Sequence, residues 1–359
     1  MNSTVDAKTF YTALSAVQKL TRRSVIPQLE EVKADFFPDR CVLTASDLEQ
    51  WVSMEIPASG AMFSMVFQYT RELVKMCHTL SGAMDISLEA GEKENKVSIR
   101  CQNRQSILGA YSGDSFPECP AVEPVRSYTA DAEKLLGRVA SVRYAADETS
   151  ERSAVRGVRF LKDQIFCVDG YRMAVSIDPG LCPEEPFVLP VQTFKHWGAL
   201  FPKGTLTLDV GEKFARITGG SVTQVTRLLT PDGIIPQNVV PSSCSERYFI
   251  SPKAFAKELA YLSEFVKSPE RQPVAFTRGR LYVESGTGAF ATEVGFGCDC
   301  KVDINFNVRQ LLEAVKRFEQ FERIRIDLFS PYSPVVLRAD DHNYALVLPM
   351  RPKQKRQAA

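Results

Sequence analysis

The chain has 359 residues, of which 44% are hydrophobic and 24% are charged, and its formal net charge is +1. This length suggests two or three domains with the composition of an ordinary globular protein. The near-neutral charge excludes a uniformly basic nucleic-acid binder, but not a chain that concentrates positive charge on one surface. No apolar run approaches the ~18 residues of a membrane span. The N-terminus lacks a signal-peptide pattern, so we expect a cytoplasmic protein.

The nine cysteines follow no disulfide framework, and we expect reduced, mostly buried thiols. Cys298 and Cys300 are the only close pair, and a zinc site would need two further ligands near them. We therefore expect neither a metal nor a cofactor.

Apolar residues at three- and four-residue spacing predict six helices, which in chain order are residues 7–20, 69–80, 131–142, 192–200, 252–266 and 307–321. Short alternating strands lie between them. Residues 280–284 and 290–294, for example, read as a hairpin around a turn at 285–288.

The same pattern recurs with a period of roughly 120 residues. The string LEAGEK beginning at Leu88 matches LDVGEK beginning at Leu208, and a fainter third copy begins at Ile324. Each repeat contains two helices and several antiparallel strands. The sequence therefore predicts an α+β fold of three repeated domains, residues 1–124, 125–245 and 246–359, each with two helices packed on antiparallel sheets.

Positive charge is concentrated on the predicted helices. Extended to flanking basic residues, these segments carry +9, against +1 for the whole chain, so the rest carries −8. Such segregation suits a polyanion contacted along its backbone. Solvated helix faces without a partner are the alternative.

Several strings resemble the beta subunit of bacterial DNA polymerase III, the DNA sliding clamp family. They are residues 23–27 (RSVIP), 44–49 (TASDLE), 168–174 (VDGYRMA), 306–312 (FNVRQLL) and 346–351 (LVLPMR). They occur in the family's order and cover essentially the whole chain. The resemblance implies a non-catalytic, head-to-tail homodimeric ring that encircles double-stranded DNA without sequence preference. It also implies a clamp loader and a DNA polymerase that bind through short peptide motifs.

The resemblance, together with helix position, implies three sets of functional residues. The expected DNA-binding residues are Lys19, Arg22, Arg23, Lys75, Arg138, Arg143, Lys195 and Arg317. The expected client-peptide pocket consists of Val155, Val168, Gly170, Tyr171, Arg172, Met173, Pro236, Val239, Leu346, Leu348, Pro349, Met350 and Arg351. The expected dimer interface includes Ile107, Leu108, Leu262 and Phe265.

The chain departs from the family pattern around that pocket. Val168 replaces a usual threonine and Tyr171 a usual histidine, the loop at 236–241 is about two residues short, and a basic tail follows Arg351. We expect a narrowed site that prefers acidic residues beside the client's anchors.

Two other functions fit parts of the sequence. A nuclease or nucleotidyltransferase could hold Mg²⁺ on carboxylate pairs such as Asp47 with Glu49 or Asp340 with Asp341. The chain has only three histidines, far apart, and none of the common nucleotide-binding or hydrolase motifs. A related ring that serves a plasmid or phage polymerase would share all the features above.

Overall fold

The computed structural model describes residues 1–91, 95–177, 185–285, 288–294 and 302–351. Contacts between Cα atoms divide the chain into two compact units. Unit 1 is Met1–Leu136 with Gln192–Leu228, and unit 2 is Gly137–Val191 with Leu229–Ala359. The predicted central domain, 125–245, is thus divided between the two units, and its boundaries stay a prediction.

Unit 1 contains one antiparallel sheet of twelve strands, with the order β1-β6-β7-β8-β5-β2-β3-β4-β16-β15-β14-β9. Labels follow chain order through both units. The strands of unit 1 are β1 Asn2–Asp6, β2 Lys33–Phe36, β3 Arg40–Ser46, β4 Gln50–Gly60, β5 Phe63–Phe67, β6 Ala83–Glu89, β7 Asn95–Cys101, β8 Arg104–Ser112, β9 Arg126–Asp131, β14 Thr205–Val210, β15 Phe214–Gly219 and β16 Val222–Arg227. Because β4 pairs with β16, the sheet continues across the predicted boundary at 124.

Three helices lie wholly in unit 1: α1 Ala7–Gln18, α2 Thr70–Cys77 and the short α4 Trp197–Leu200. Helix α1 begins where Asp6 Oδ1 accepts a hydrogen bond from Thr9 N at 2.9 Å, a standard N-cap. Its buried residues include Phe10, Leu14 and Val17, whose three- and four-residue spacing forms one apolar face. Helix α3, Ala132–Val142, crosses the boundary between the units.

Unit 2 contains two antiparallel sheets, with the orders β13-β10-β11-β12-β24-β23-β22-β17 and β20-β19-β18-β21. The eight strands of the larger sheet are β10 Gly157–Leu161, β11 Gln164–Val168, β12 Arg172–Ile177, β13 Phe187–Pro190, β17 Glu246–Ile250, β22 Ile324–Leu328, β23 Val335–Arg338 and β24 Asn343–Val347. Those of the smaller sheet are β18 Val274–Thr277, β19 Arg280–Ser285, β20 Gly288–Glu293 and β21 Ile304–Phe306.

The helices wholly within unit 2 are α5 Pro236–Val239, α6 Pro252–Ser263 and α7 Val308–Lys316. Asn307 caps α7 by accepting from the backbone N–H of Arg309 at 3.1 Å and of Gln310 at 3.3 Å. The larger core of this unit joins α6 and α7 to both sheets. A second, smaller cluster lies on the β11, β12 and β24 strands and is described below.

The α+β prediction is confirmed, and so are most of the predicted elements. Five of the six helical segments contain an α-helix of eight residues or more, each ending earlier than predicted or at the predicted residue. The sixth, 192–200, is instead a 3-10 turn over Val191–Phe194 followed by the four-residue α4. The hairpin forms between β19 and β20, although residues 286–287 of its turn lie outside the described ranges.

Candidate functional site

In unit 1 the predicted basic residues gather near the end of α1. Lys19, which caps α1, and Lys195 are exposed. The Arg22 Nη2 donates to Gln192 Oε1 at 3.0 Å and lies 4.0 Å from Asp47 Oδ2. Burial and the charges of Lys195, Lys19 and Arg22 lower the pKa of His196. Three of the predicted cations therefore act on one imidazole, and a bound phosphate would relieve their mutual repulsion.

Two further basic residues of unit 1, Arg23 and Lys75, are exposed. Arg23 lies in the loop after α1 and Lys75 lies in the last turn of α2. Within the described ranges, neither forms a hydrogen bond or an ion pair. Their side chains can therefore meet a polyanion without breaking a contact.

In unit 2, Arg143 and Arg317 line an open cleft of about 610 Å³ together with Lys316, Arg172, Glu313 and Tyr144. The guanidinium carbon of Arg317 lies 5.4 Å from the centre of the Tyr144 ring, which is cation–π range. The Tyr144 hydroxyl is buried and has no hydrogen-bond partner among the described residues. Sequence reasoning missed Lys316 and Tyr144, although Lys316 precedes a predicted cation on the same helix.

Arg138 is engaged differently from the other predicted cations. It is half-buried, and its Nη1 donates to Ser176 Oγ at 3.2 Å and to the Ile177 carbonyl at 2.8 Å. These bonds fasten α3 to the end of β12. Phosphate binding at Arg138 would have to compete with them.

Arg172, which we expect in the client-peptide pocket, lines the cleft of Arg143 and Arg317, and its part in the pocket stays a prediction. Its guanidinium pairs with Asp169 at 2.8 Å and with Glu313 of α7, and it lies 5.5 Å from the Tyr144 ring centre. Successive side chains of a strand point to opposite faces, so Arg172 and Met173 cannot share one. Arg172 lines the same cleft as Arg143, Lys316 and Arg317. The alternation was readable in the sequence.

Three predicted pocket residues do come together. Val168, Met173 and Leu346 are buried in one apolar cluster on the opposite face of the sheet from Arg172. The pairing of β12 with β24 sets Met173 directly opposite Leu346. Sequence reasoning missed the rest of this cluster, which contains Phe166, Val175, Val336 and Tyr344, with Ile234 and Val240 packed against it.

Several predicted pocket residues form an exposed rim. Tyr171 is 64% exposed and Val239 is 41% exposed. The Leu348 N–H donates to the Tyr171 carbonyl at 2.8 Å, which holds the segment after β24 against the turn before β12. Gly170 adopts φ +92° in that turn, a conformation that glycine tolerates and other residues rarely adopt.

The remaining predicted pocket residues occupy other positions in unit 2. Pro236 is buried at the start of α5. Val155, Pro349 and Met350 are half-buried, and Arg351 is exposed. The Met350 N–H donates to the Asn305 carbonyl at 2.7 Å. The basic tail, residues 352–359, lies outside the described residues, so the expected preference for acidic clients stays a prediction.

The predicted interface strand is β8. Strand β7 pairs along its whole length, whereas β5 pairs only with residues 110–112 of β8. Within the described ranges, the other edge of residues 104–108 is therefore unpaired by any strand. Ile107 is 62% exposed and Leu108 is half-buried. This edge is open to a second chain.

In unit 2, the ring of Phe265 stacks on that of Phe290 in β20, with ring centres 3.7 Å apart. The rings of Tyr261 and Phe265 meet edge to face, with ring centres 5.2 Å apart. Strand β20 ends its sheet. Leu262, however, is fully buried in the core of its own unit, and its part in an interface stays a prediction. The spacing of Phe255, Leu259 and Leu262 already indicated a buried face of α6.

Two of the four alternative catalytic carboxylates, Asp47 and Asp340, serve as turn caps. Asp47 Oδ1 accepts from the backbone of Glu49 at 3.1 Å and of Gln50 at 2.9 Å, and Asp340 Oδ1 accepts from the backbone of His342 at 2.8 Å. The described residues contain no group of three or more potential metal ligands. Cys298 and Cys300 lie outside those ranges. None of the described helices is long and apolar enough to cross a membrane.

Comparison with known proteins gives relatives over nearly the full chain. Beta sliding clamps of Staphylococcus aureus and Staphylococcus epidermidis are each 21% identical to it, over 98% of this chain and 99% of theirs. This chain is therefore similar to beta sliding clamps over nearly its whole length. No protein-family model matches it.

Solved structures of sliding clamps have the same fold as this chain. A DNA polymerase sliding clamp from Caulobacter crescentus has a TM-score of 0.86 at 20% identity, and the DNA polymerase III beta subunit from Thermotoga maritima has 0.85 at 19%. Each comparison covers 98% of this chain and 100% of the other. The fold is thus kept although four residues in five differ.

Proposed function

We propose that the chain is a non-catalytic DNA sliding clamp that gives a replicative DNA polymerase its processivity. The observation that carries this proposal is the full-length relation to beta sliding clamps at 98% coverage of this chain. Each chain has three domains, 1–124, 125–245 and 246–359. Two chains form a head-to-tail ring that encloses duplex DNA, and the clamp loader and polymerase are held by short peptides.

The distribution of charge supports the DNA part of the proposal. Lys19, Arg23, Lys75 and Lys195 are exposed and carry no ion pair within the described ranges. A sliding ring needs contacts that are exchanged rapidly and do not depend on sequence, which phosphate contacts with lysine and arginine provide. The cleft of Arg143 and Arg317 adds cations in unit 2.

Ring closure requires two different surfaces of the chain to meet, because a head-to-tail contact is heterologous. The edge of β8 at residues 104–108 and the strand β20 are two such surfaces, because among the described strands each has an edge with backbone groups available for pairing. The aromatic side chains of Phe265 and Phe290 beside β20 would supply apolar contact. Ile107 would supply it from β8.

The client part of the proposal is supported by the apolar cluster of Val168, Met173 and Leu346 with its exposed rim. Aliphatic and methionine side chains form an adaptable surface for leucine or phenylalanine anchors. Tyr171 and Leu348 stay partly exposed beside that cluster, where a peptide could cover them.

A topological experiment tests the proposal. The protein is loaded onto a nicked circular duplex by a clamp loader, and the DNA is then cut once. We expect sedimentation at twice the chain mass, retention on the circle and loss from the linear product. A monomer, or equal retention on both DNA forms, would contradict the ring. DNA cleavage or synthesis by the purified chain with Mg²⁺ would support the nuclease alternative instead.

A further inference from the structure

Unit 2 contains a second apolar cavity beside the cluster of Val168, Met173 and Leu346. It has a volume of about 390 Å³ and lies between the larger sheet and the segment 231–237. Leu161, Phe166 and Val188 line it from the sheet, and Ile234 and Ile235 line it from the segment. Its volume falls in the range of small-ligand pockets. None of these residues belongs to the predicted client pocket.

An ion pair between the buried Arg159 and the exposed Asp232 forms part of the wall of this cavity. Arg159 is only 3% exposed, and its Nε donates to Asp232 Oδ1 at 3.2 Å, while its Nη2 donates to Asp232 Oδ2. Asp232 Oδ1 also accepts from the Ile234 N–H at 3.3 Å, which fixes the start of the covering segment. Burial favours the neutral acid, but the hydrogen bonds and charge of Arg159 outweigh it and lower the pKa of Asp232. The ion pair therefore adds no net charge to the wall, and the other charged residue of the lining, Lys162, is exposed.

One polar atom in this cavity lacks a partner. Gln164 lines the cavity and is 9% exposed, and its Oε1 is buried without a hydrogen bond from any described residue. Gln164 and Phe166 lie on the same face of β11, because side chains two residues apart in a strand do. A buried acceptor without a donor destabilises a protein, so such groups are normally satisfied. The missing donor would come from a ligand.

The chemistry of the cavity restricts that ligand. Its body must be apolar, it must offer one N–H or O–H donor, and it must be uncharged because the one buried charge of the lining, Arg159, is already paired with Asp232. A tryptophan side chain has these properties and is the largest that does. We propose that this cavity binds the indole ring of a tryptophan in a peptide partner, with the ring N–H donating to Gln164 Oε1.

The cavity adjoins the proposed client pocket. Phe166 lines the cavity and also belongs to the cluster of Val168, Met173 and Leu346, and Ile234 packs against the same cluster. A tryptophan near a leucine or phenylalanine anchor could therefore fill both sites at once. That the peptide is a polymerase client rests on the proposed function, whereas binding of the indole ring does not.

The first test uses two small probes, indole and 1-methylindole, which differ in the donor. Binding to the full chain is followed by protein NMR shifts. We expect the wild type to bind indole roughly tenfold more tightly than 1-methylindole, as one hydrogen bond to a buried group allows. Gln164→Met keeps the side-chain length and removes the acceptor, so it should equalise the two affinities. It should not lower the melting temperature, because the wild-type acceptor is unsatisfied.

A filling variant and a client peptide complete the test. Leu161→Trp should occupy the cavity and abolish binding of both probes. No binding of indole to the wild type, or the same preference for indole in Gln164→Met, would overturn the proposal. A leucine/phenylalanine client peptide without tryptophan should bind wild type and Gln164→Met equally. If that peptide fails while indole still binds, the client function is wrong and the indole site stands.

Discussion

Leu348 offers a direct test of the client pocket, because it is already exposed in the free protein. It is 39% exposed and lies two residues after the buried Leu346. Full burial of a leucine side chain stabilises by about 1.5–3 kcal/mol. Covering the exposed two-fifths with a peptide should therefore contribute about 0.6–1.2 kcal/mol, which corresponds to roughly a threefold to sevenfold change in Kd. We expect Leu348→Ala to weaken a leucine/phenylalanine client peptide by this factor.

The measurement is fluorescence anisotropy of a labelled peptide at constant salt. Leu48 provides a matched control, because it is 40% exposed and lies in unit 1, outside the proposed pocket. Leu48→Ala should leave the peptide affinity unchanged. The backbone bond from Leu348 N to the Tyr171 carbonyl survives in alanine, so both variants should stay folded. Wild-type affinity in Leu348→Ala, or equal losses in both variants, would refute the pocket.

Three further predictions concern DNA, closure and pH. Replacing Lys19 and Lys195 by glutamine should weaken the binding of all duplex sequences alike in a filter-binding assay. The slope of log K against log salt concentration should become shallower by roughly 0.9 per lost phosphate contact. A loss of affinity for some sequences only would count against a passive ring. Phe265→Asp should give monomers in sedimentation. Tyr332→Asp, at a position that is 73% exposed, is the control and should stay dimeric. A stable Phe265→Asp dimer would place the interface elsewhere. Because burial and nearby cations lower the pKa of His196, its stability contribution is complete above the ordinary value of 6.5 and is lost as pH falls through the lowered one. In urea unfolding, His196→Gln should reduce the loss of folding free energy at low pH. Bound DNA should raise the pKa of His196 in an NMR titration. An unchanged pKa would show that no phosphate binds beside Lys19, Arg22 and Lys195.

Local signals in the sequence were sufficient for much of the fold. Helices α1 and α7 each have an apolar spacing that the sequence shows directly. Each also has its capping residue, Asp6 or Asn307, immediately before its first turn. The hairpin of β19 and β20 is equally local. The repeat and the family strings added the order of the elements and the pocket residues Val168 and Met173, because the residues that carry them are adjacent in the chain.

Features that depend on distant partners were decided only by the tertiary structure. Helix α2 has no cap of its own, and Glu31 supplies it from 38 residues away by accepting from the Tyr69 backbone N–H at 3.0 Å. Arg172 could be placed beside Glu313 only once α7 was packed against β12 and β24. Asp232 reaches Arg159 across 73 residues, and both residues line the same cavity of unit 2. The periods of strands and helices determine which face of an element a side chain lies on. The residue that it contacts there depends on which distant segment of the chain packs against that face.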